Sequence, residues 1–279
     1  MIDVSAVRRL SRGALATLLI AAGLSAFSVS AGTLDEIKAR GMMNIATEDD
    51  FHPFEFIQDG TPTGYDTELV KLITANAPFK LHQDTIPWAG ILPGVTTGKY
   101  DMAVSAVLVT DARKKTLQFA SPIAESTTYY LTKTGGTAIK STTDLNGKAI
   151  GVEAGSAMEK QLQALDAKLK AAGGAGVKQI VEYQGYPEAY QDLALGRLDA
   201  VVNTQINLEA LIKEKPGVFA MGQPIAEPVY IAWAAAKGND SLIAYINSLL
   251  LAARKDGKMY ELQKKWLGAS FESMPETIQ

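Results

Sequence analysis

The sequence predicts an α/β protein made of two similar halves, and three observations carry that prediction. From residue 32 onward, short apolar runs alternate with stretches of helical periodicity, the pattern of parallel sheets covered by helices. This alternation occurs twice, once up to residue 132 and again from residue 148. The two sets also echo each other. Gly98-Lys99-Tyr100-Asp101-Met102-Ala103-Val104 matches Gly196-Arg197-Leu198-Asp199-Ala200-Val201-Val202, and Asn44-Ile45-Ala46-Thr47-Glu48 matches Ala149-Ile150-Gly151-Val152-Glu153.

In the first set, 43–47 reads as a strand and 68–77 as a helix that stops before Pro78. A short strand follows at 80–83, then a helix over 89–97 closed by Gly98. The run 101–107 reads as a buried strand, and 127–132, rich in Thr and Tyr, as another. In the second set, 148–152 is a strand, and 157–172 is a long amphipathic helix ended by Gly173-Gly174. Strand 179–183, helix 187–195 with Pro at its start, strand 199–202 and helix 206–213 come next. The chain closes with helices over 241–255 and 259–267. In the repeated segment, a C-cap Gly is followed by a basic residue near the negative end of the helix dipole, then by an Asp that opens a buried strand.

The start of the chain is of another kind. Arg8, Arg9 and Arg12 precede an uncharged apolar run over 13–27, and Val29-Ser30-Ala31 supplies the small residues a signal peptidase needs. A run of 15 residues is shorter than a membrane-spanning helix requires. Residues 1–31 are therefore expected to be a cleaved export signal. The remainder carries 24 basic and 29 acidic residues, a net charge of −5.

Composition excludes several classes of function. The 279 residues include no Cys, so disulfides, thiolate metal sites and cysteine nucleophiles are ruled out, as is a lipid anchor on a cleavage-site Cys. Two His, at 52 and 82, leave little for a His-based metal site or triad. The acidic balance and the lack of a Lys/Arg-rich run argue against nucleic acid. There is no Gly-x-Ser-x-Gly, no phosphate loop and no His-Glu-x-x-His, and no cofactor or metal is implied. Ligands of open α/β sheets bind beyond the carboxyl ends of the strands. That places Glu48, Glu153 and the segments after Val104 and Val202 around one cleft.

Several segments in order resemble the bacterial periplasmic solute-binding proteins of amino-acid ABC importers, the family 3 extracellular solute-binding proteins. They are Ile45-Ala46-Thr47-Glu48 with Phe51-x-Pro53-Phe54; Gly64-Tyr65-Asp66-x-Glu68-Leu69; Trp88-x-x-Ile91-Leu92-Pro93; Thr110-Asp111-Ala112-Arg113; Phe119-Ala120-Ser121-Pro122; Gly155-Ser156; and Asp256-Gly257 running to Trp266-x-Gly268. The resemblance implies a type II periplasmic-binding-protein fold. Its two lobes, each a mostly parallel sheet flanked by helices, are joined by two crossing strands at 127–134 and about 222–232. Lobe 1 would comprise 32–130 and 227–279, and lobe 2 would comprise 131–226.

The resemblance also assigns roles. Arg113 would hold a ligand carboxylate in the bidentate manner of a guanidinium. Ser105 and Ala106 would offer hydroxyl and backbone groups, and Phe51 and Trp88 would pack on the ligand. Glu48 occupies an acidic position, and Ser156 and Ala157 form a helix start suited to an anion. Two departures stand out. Leu108 replaces a usual Ser or Thr, and Asn203-Thr204 stands where an Asp would take the α-ammonium. Either the ligand lacks an ordinary α-ammonium, or another acid replaces that Asp, with Glu153 the candidate.

The expected function is a soluble, monomeric periplasmic receptor that delivers an amino acid or derivative to a membrane permease. The rival is a cyclohexadienyl dehydratase-like enzyme on the same fold. A ligand with a carboxylate and a cationic or polar nitrogen group is expected: basic, opine-like or cyclic.

Overall fold

The computed structural model describes residues 33–279, so the expected export signal at 1–31 lies outside the described residues. The chain opens with α1 (Leu34–Arg40), fixed by a capping box in which Thr33 and Glu36 each accept the other's backbone N–H. Next come β1 (Met42–Thr47) and a small antiparallel meander of β2 (Asp50–Phe51), β3 (Glu55–Gln58) and β4 (Thr61–Thr63). After these the chain forms α2 (Tyr65–Thr74), β5 (Lys80–Thr85), α3 (Trp88–Thr96), β6 (Met102–Ala103), α4 (Asp111–Lys114), β7 (Leu117–Phe119), β8 (Ala124–Ser126) and β9 (Thr128–Lys133).

The second half runs through β10 (Ala149–Glu153), α5 (Ala157–Ala171), β11 (Gln179–Tyr183), α6 (Tyr186–Ala194), β12 (Ala200–Thr204), α7 (Gln205–Glu214) and β13 (Phe219–Pro224). The chain then returns through β14 (Val229–Ile231) and β15 (Ala234–Ala236) to α8 (Asp240–Lys255) and α9 (Lys258–Leu267).

Two five-stranded sheets result, with orders β5-β1-β6-β15-β7 and β11-β10-β12-β9-β13. In each, three parallel strands are followed by antiparallel ones. The chain leaves the first sheet through β8 and returns through β14, and these two strands pair antiparallel, Ser126 opposite Val229 and Ala124 opposite Ile231. β9 is bonded into the second sheet along its length.

The sequence echo has a physical basis. Asp101 accepts the N–H of Asn44 at 2.7 Å, and Asp199 accepts the N–H of Ala149 at 2.9 Å. Each Asp ties the turn before its own strand to the neighbouring parallel strand, β1 or β10, through its carboxylate and its backbone N–H. The strand expected over 101–107 is shorter than that: it pairs only over Met102–Ala103. Ala106 adopts a positive φ of 31°, which no strand accommodates, and the chain turns there toward the cleft.

The core follows the layers. Ile37, Met43, Ile45, Leu69 and Met102 are fully buried in the first half, as are Ile150, Val152, Leu162, Val201 and Leu208 in the second. A separate cluster under α3 joins Trp88, Ile91, Val95, Tyr100 and Phe119.

Candidate functional site

The carboxyl ends of β1 and β10 meet at one cavity. It is lined from the first sheet by Glu48, Phe51, Trp88, Ser105, Ala106, Leu108 and Arg113, and from the second by Glu153, Ser156, Ala157 and Met158. All the residues expected from the sequence are here except Asn203 and Thr204, and Met158 is an addition. The cavity measures about 10 Å³, about the room of a single water. An amino acid therefore enters only if the two walls part.

Arg113 sits in the short turn α4, where Thr110 caps its backbone N–H at 3.3 Å. The guanidinium lies 5.1 Å from the centre of the Trp88 ring and donates to the Leu108 carbonyl at 2.9 Å. Burial lowers its pKa to about 10, so it stays charged at neutral pH. Leu108 thus has a role its apolar side chain did not suggest: its carbonyl aims the fork.

Glu48 and Glu153 face this cation from the strand ends, 3% and 2% exposed. One oxygen each from Glu48, Asp50 and Glu153 lies within 4.8 Å of the others. Burial, then the neighbouring Glu153, raises the Glu48 pKa well above the carboxylate range. Burial raises Glu153 to about 7, against the opposing pull of the Glu48 hydrogen bond and the Arg113 charge. Two carboxyls this close and this buried disfavour both being ionised, so each is raised. Each still has an oxygen, Oε1, without a partner among the described residues. Three such oxygens fall short of the roughly six to eight that Ca²⁺ takes.

Behind the wall lies a layer the sequence reading passed over. Ser105 Oγ donates to Glu55 Oε1 at 2.6 Å and accepts the N–H of Glu48 at 3.3 Å. Asp66 accepts the N–H of Ala106 at 2.7 Å and so holds that residue in its strained conformation. Glu55 and Asp66 are fully enclosed, and burial raises both, Asp66 to about 6. Ser105 therefore lines the cavity with its hydroxyl already engaged. Phe54-x-Phe56, which places a carboxylate between two aromatics, was the available signal for Glu55. Asp66→Ala is expected to cost about 1–3 kcal/mol of stability by orphaning the Ala106 N–H. Asp66→Asn, whose amide oxygen still accepts, should cost less, as urea denaturation would show.

Ser156 caps α5, accepting the N–H of Glu159 at 3.0 Å. The backbone N–H groups of Ala157 and Met158 then form the open, positive end of the helix at the cavity. Thr204 is fully buried and caps α7, accepting the N–H of Asn207 at 3.5 Å. Its hydroxyl is engaged there, which is why it does not reach the cavity. Asn203 instead donates to Tyr190 Oη at 2.8 Å and lines a second cavity beside the first.

Two α/β halves closing on a guanidinium and buried carboxylates define a small-solute receptor of the type II periplasmic-binding-protein class. The model of the bacterial extracellular solute-binding proteins, family 3, matches residues 43–269, and the chain belongs to that family. It is 30% identical to the L-cystine-binding protein TcyJ of Escherichia coli (strain K12) over 266 residues, 94% of this chain and 96% of the relative. Among solved structures, an ancestral arginine-binding protein bound to arginine superposes with a TM-score of 0.75 and 31% identity, covering 82% of this chain and 99% of that one. An ancestral amino-acid-binding protein, a precursor of cyclohexadienyl dehydratase, superposes with a TM-score of 0.76 and 29% identity, covering 85% and 100%. The relatives are amino-acid-binding proteins of ABC transporters. Among the described residues, no helix is long and apolar enough to cross a membrane.

Proposed function

We propose that this chain is a monomeric periplasmic receptor that captures an amino acid or derivative bearing a cationic nitrogen and hands it to the permease of an ABC importer. The observation that supports this most is the charge layout of the cavity. One guanidinium on the Trp88 face stands opposite two buried glutamates, Glu48 and Glu153, with unpartnered oxygens. A carboxylate docks on Arg113 and the open N–H groups of α5. The nitrogen docks on Glu153 and Glu48, which supply the acid that Thr204 does not. Basic, opine-like and cyclic amino-acid derivatives satisfy both poles. Glutamate and aspartate bring a third carboxylate against two acids, a clash worth several kcal/mol when desolvated. Relatives named for cystine and arginine share the nitrogen-bearing character.

A thermal-shift panel of acidic, neutral, basic and conjugated amino acids tests the reading, since a ligand that binds only the native state raises the midpoint. Basic or conjugated amino acids should raise it most. A preference for glutamate or aspartate would overturn the charge assignment. The enzymatic rival is tested separately: incubation with prephenate is expected to yield no elimination product.

Capture proceeds by closure. We take the β8–β14 ribbon, where the chain passes between the two sheets, as the hinge, and the cavity is too small to admit a ligand without parting. Saturating ligand should therefore reduce the radius of gyration in small-angle scattering. An unchanged radius alongside measured binding would count against a hinge.

A further inference from the structure

The cavity at Arg113 is not the whole of the cleft. A second cavity of about 210 Å³ adjoins it, some twenty times the 10 Å³ of the first. Both halves of the chain line it, with Asp50, Phe51, Tyr186, Tyr190, Asn203 and Asn207 among its walls. Phe51 lines both cavities. Asp50 lines the second space alone, but one of its carboxylate oxygens lies within 4.8 Å of oxygens of Glu48 and Glu153 in the first.

We infer that the second cavity is a subsite for the far end of a long ligand, an α-amino acid whose side chain passes Phe51 and ends in a nitrogen-bearing head. This deepens the proposed function and rests on it. The α-carboxylate and α-ammonium occupy Arg113 and the two glutamates, and the side chain continues into the second space.

The groups there fit such a head. Asp50 Oδ1 is buried and has no partner among the described residues, so it can accept from a guanidinium, ammonium or amide. The approach is tight: a Cβ added at Gly185, the residue before α6, would come within 2.1 Å of the other Asp50 oxygen. Asn203 is locked, because its Oδ1 accepts the N–H of Thr204 at 2.6 Å and its Nδ2 donates to Tyr190 Oη at 2.8 Å. With its oxygen accepting that bond, Tyr190 has its own hydrogen to give to a carbonyl or carboxylate. Between the cavities runs an aromatic wall. The Phe51 and Tyr186 rings are 5.9 Å apart, and Tyr186 stacks on Tyr190 at 5.5 Å. Methylene or sulfur spacers pack well on such rings. Asn203, where a ligand contact is expected from its place in the chain, lines this second space and holds Tyr190 in place there.

Isothermal titration of wild type, Asp50→Asn and Tyr190→Phe against L-alanine, L-arginine and L-cystine tests the inference. The first probe fills only the inner site; the other two reach the second. Wild type should bind arginine or cystine at least 100-fold more tightly than alanine. Asp50→Asn should cut the ratio for either long probe at least tenfold, and Tyr190→Phe, which removes only a donor, should cut it at least tenfold for cystine, whose far carboxylate accepts. Both replacements keep the shape of the side chain, and the ratio cancels any effect on the inner site. Alanine bound as tightly as the long probes, or a ratio that neither substitution moves, would overturn the subsite and leave the receptor reading intact. Binding of none of the three probes to wild type would overturn the subsite, which takes long α-amino acids, while the receptor reading stands or falls separately on the thermal-shift panel.

Discussion

Arg113→Ala is expected to weaken ligand binding by about 2–5 kcal/mol, roughly 30- to several-thousand-fold in Kd. On the proposed function the ligand carboxylate docks on Arg113 in a cavity whose other charged side chains, Glu48 and Glu153, are acids, so removing the guanidinium would leave the anion desolvated and repelled. Arg113→Lys should fail nearly as badly. An ammonium cannot both donate to the Leu108 carbonyl and present a planar fork, and it loses the flat contact with Trp88. Trp88→Leu should cost less, about 0.5–2 kcal/mol from the lost cation–π contact, with some stability lost from the cluster under α3. Isothermal titration gives the comparison directly. An Arg113→Ala loss below about 1 kcal/mol would remove Arg113 from the site.

How much of this was legible in the sequence depended on how local each signal was. The paired Gly-x-x-Asp segments were readable because Asp101 and Asp199 perform the same task, each accepting a backbone N–H of the neighbouring parallel strand, from Asn44 of β1 and Ala149 of β10. Glu48 and Glu153 were readable as cleft residues because a parallel strand delivers its last residue to the ligand edge of the sheet. Glu55 and Asp66 were not, because their partners Ser105 and Ala106 lie 50 and 40 residues away along the chain. For the same reason 101–107 looked like an uninterrupted strand. Its apolar pattern gives no sign that Asp66 holds Ala106 at positive φ and ends the pairing. Thr204 misled in the opposite direction. Its place in the repeat pointed to the cleft, but a Thr before a helix finds a nearer partner in the N–H three residues on. α1 was missed although Thr33-x-x-Glu36 is a legible capping box. At seven residues the helix offers only two buried apolar positions, Leu34 and Ile37, too few for a periodic pattern.

Glu153→Gln is expected to separate stability from function through pH. In the ligand-free protein the folded-state pKa of Glu153 is raised from 4.5 to about 7, chiefly by burial. A raised carboxyl pKa means the folded state binds the proton more tightly than the unfolded chain. The associated stability is complete below about pH 4.5 and is lost as pH climbs to about 7, by as much as about 3 kcal/mol. Glutamine carries no charge to desolvate, so the variant should be more stable than wild type above pH 7, by about 1–3 kcal/mol in urea denaturation. Some slope should remain, because Asp66, raised to about 6, loses stability in the same direction. Binding should move the opposite way. A cationic nitrogen needs Glu153 ionised, so each pH unit below 7 should weaken wild-type binding by up to about tenfold, because the proton must be expelled first. Glu153→Gln should bind weakly at every pH and show little of this slope. Titrations from pH 5 to 8 in parallel with denaturation would show the two wild-type curves crossing, stability falling while affinity rises. A wild-type affinity that does not change over this range, or full-strength binding by Glu153→Gln, would mean the ligand nitrogen does not rest on this carboxylate.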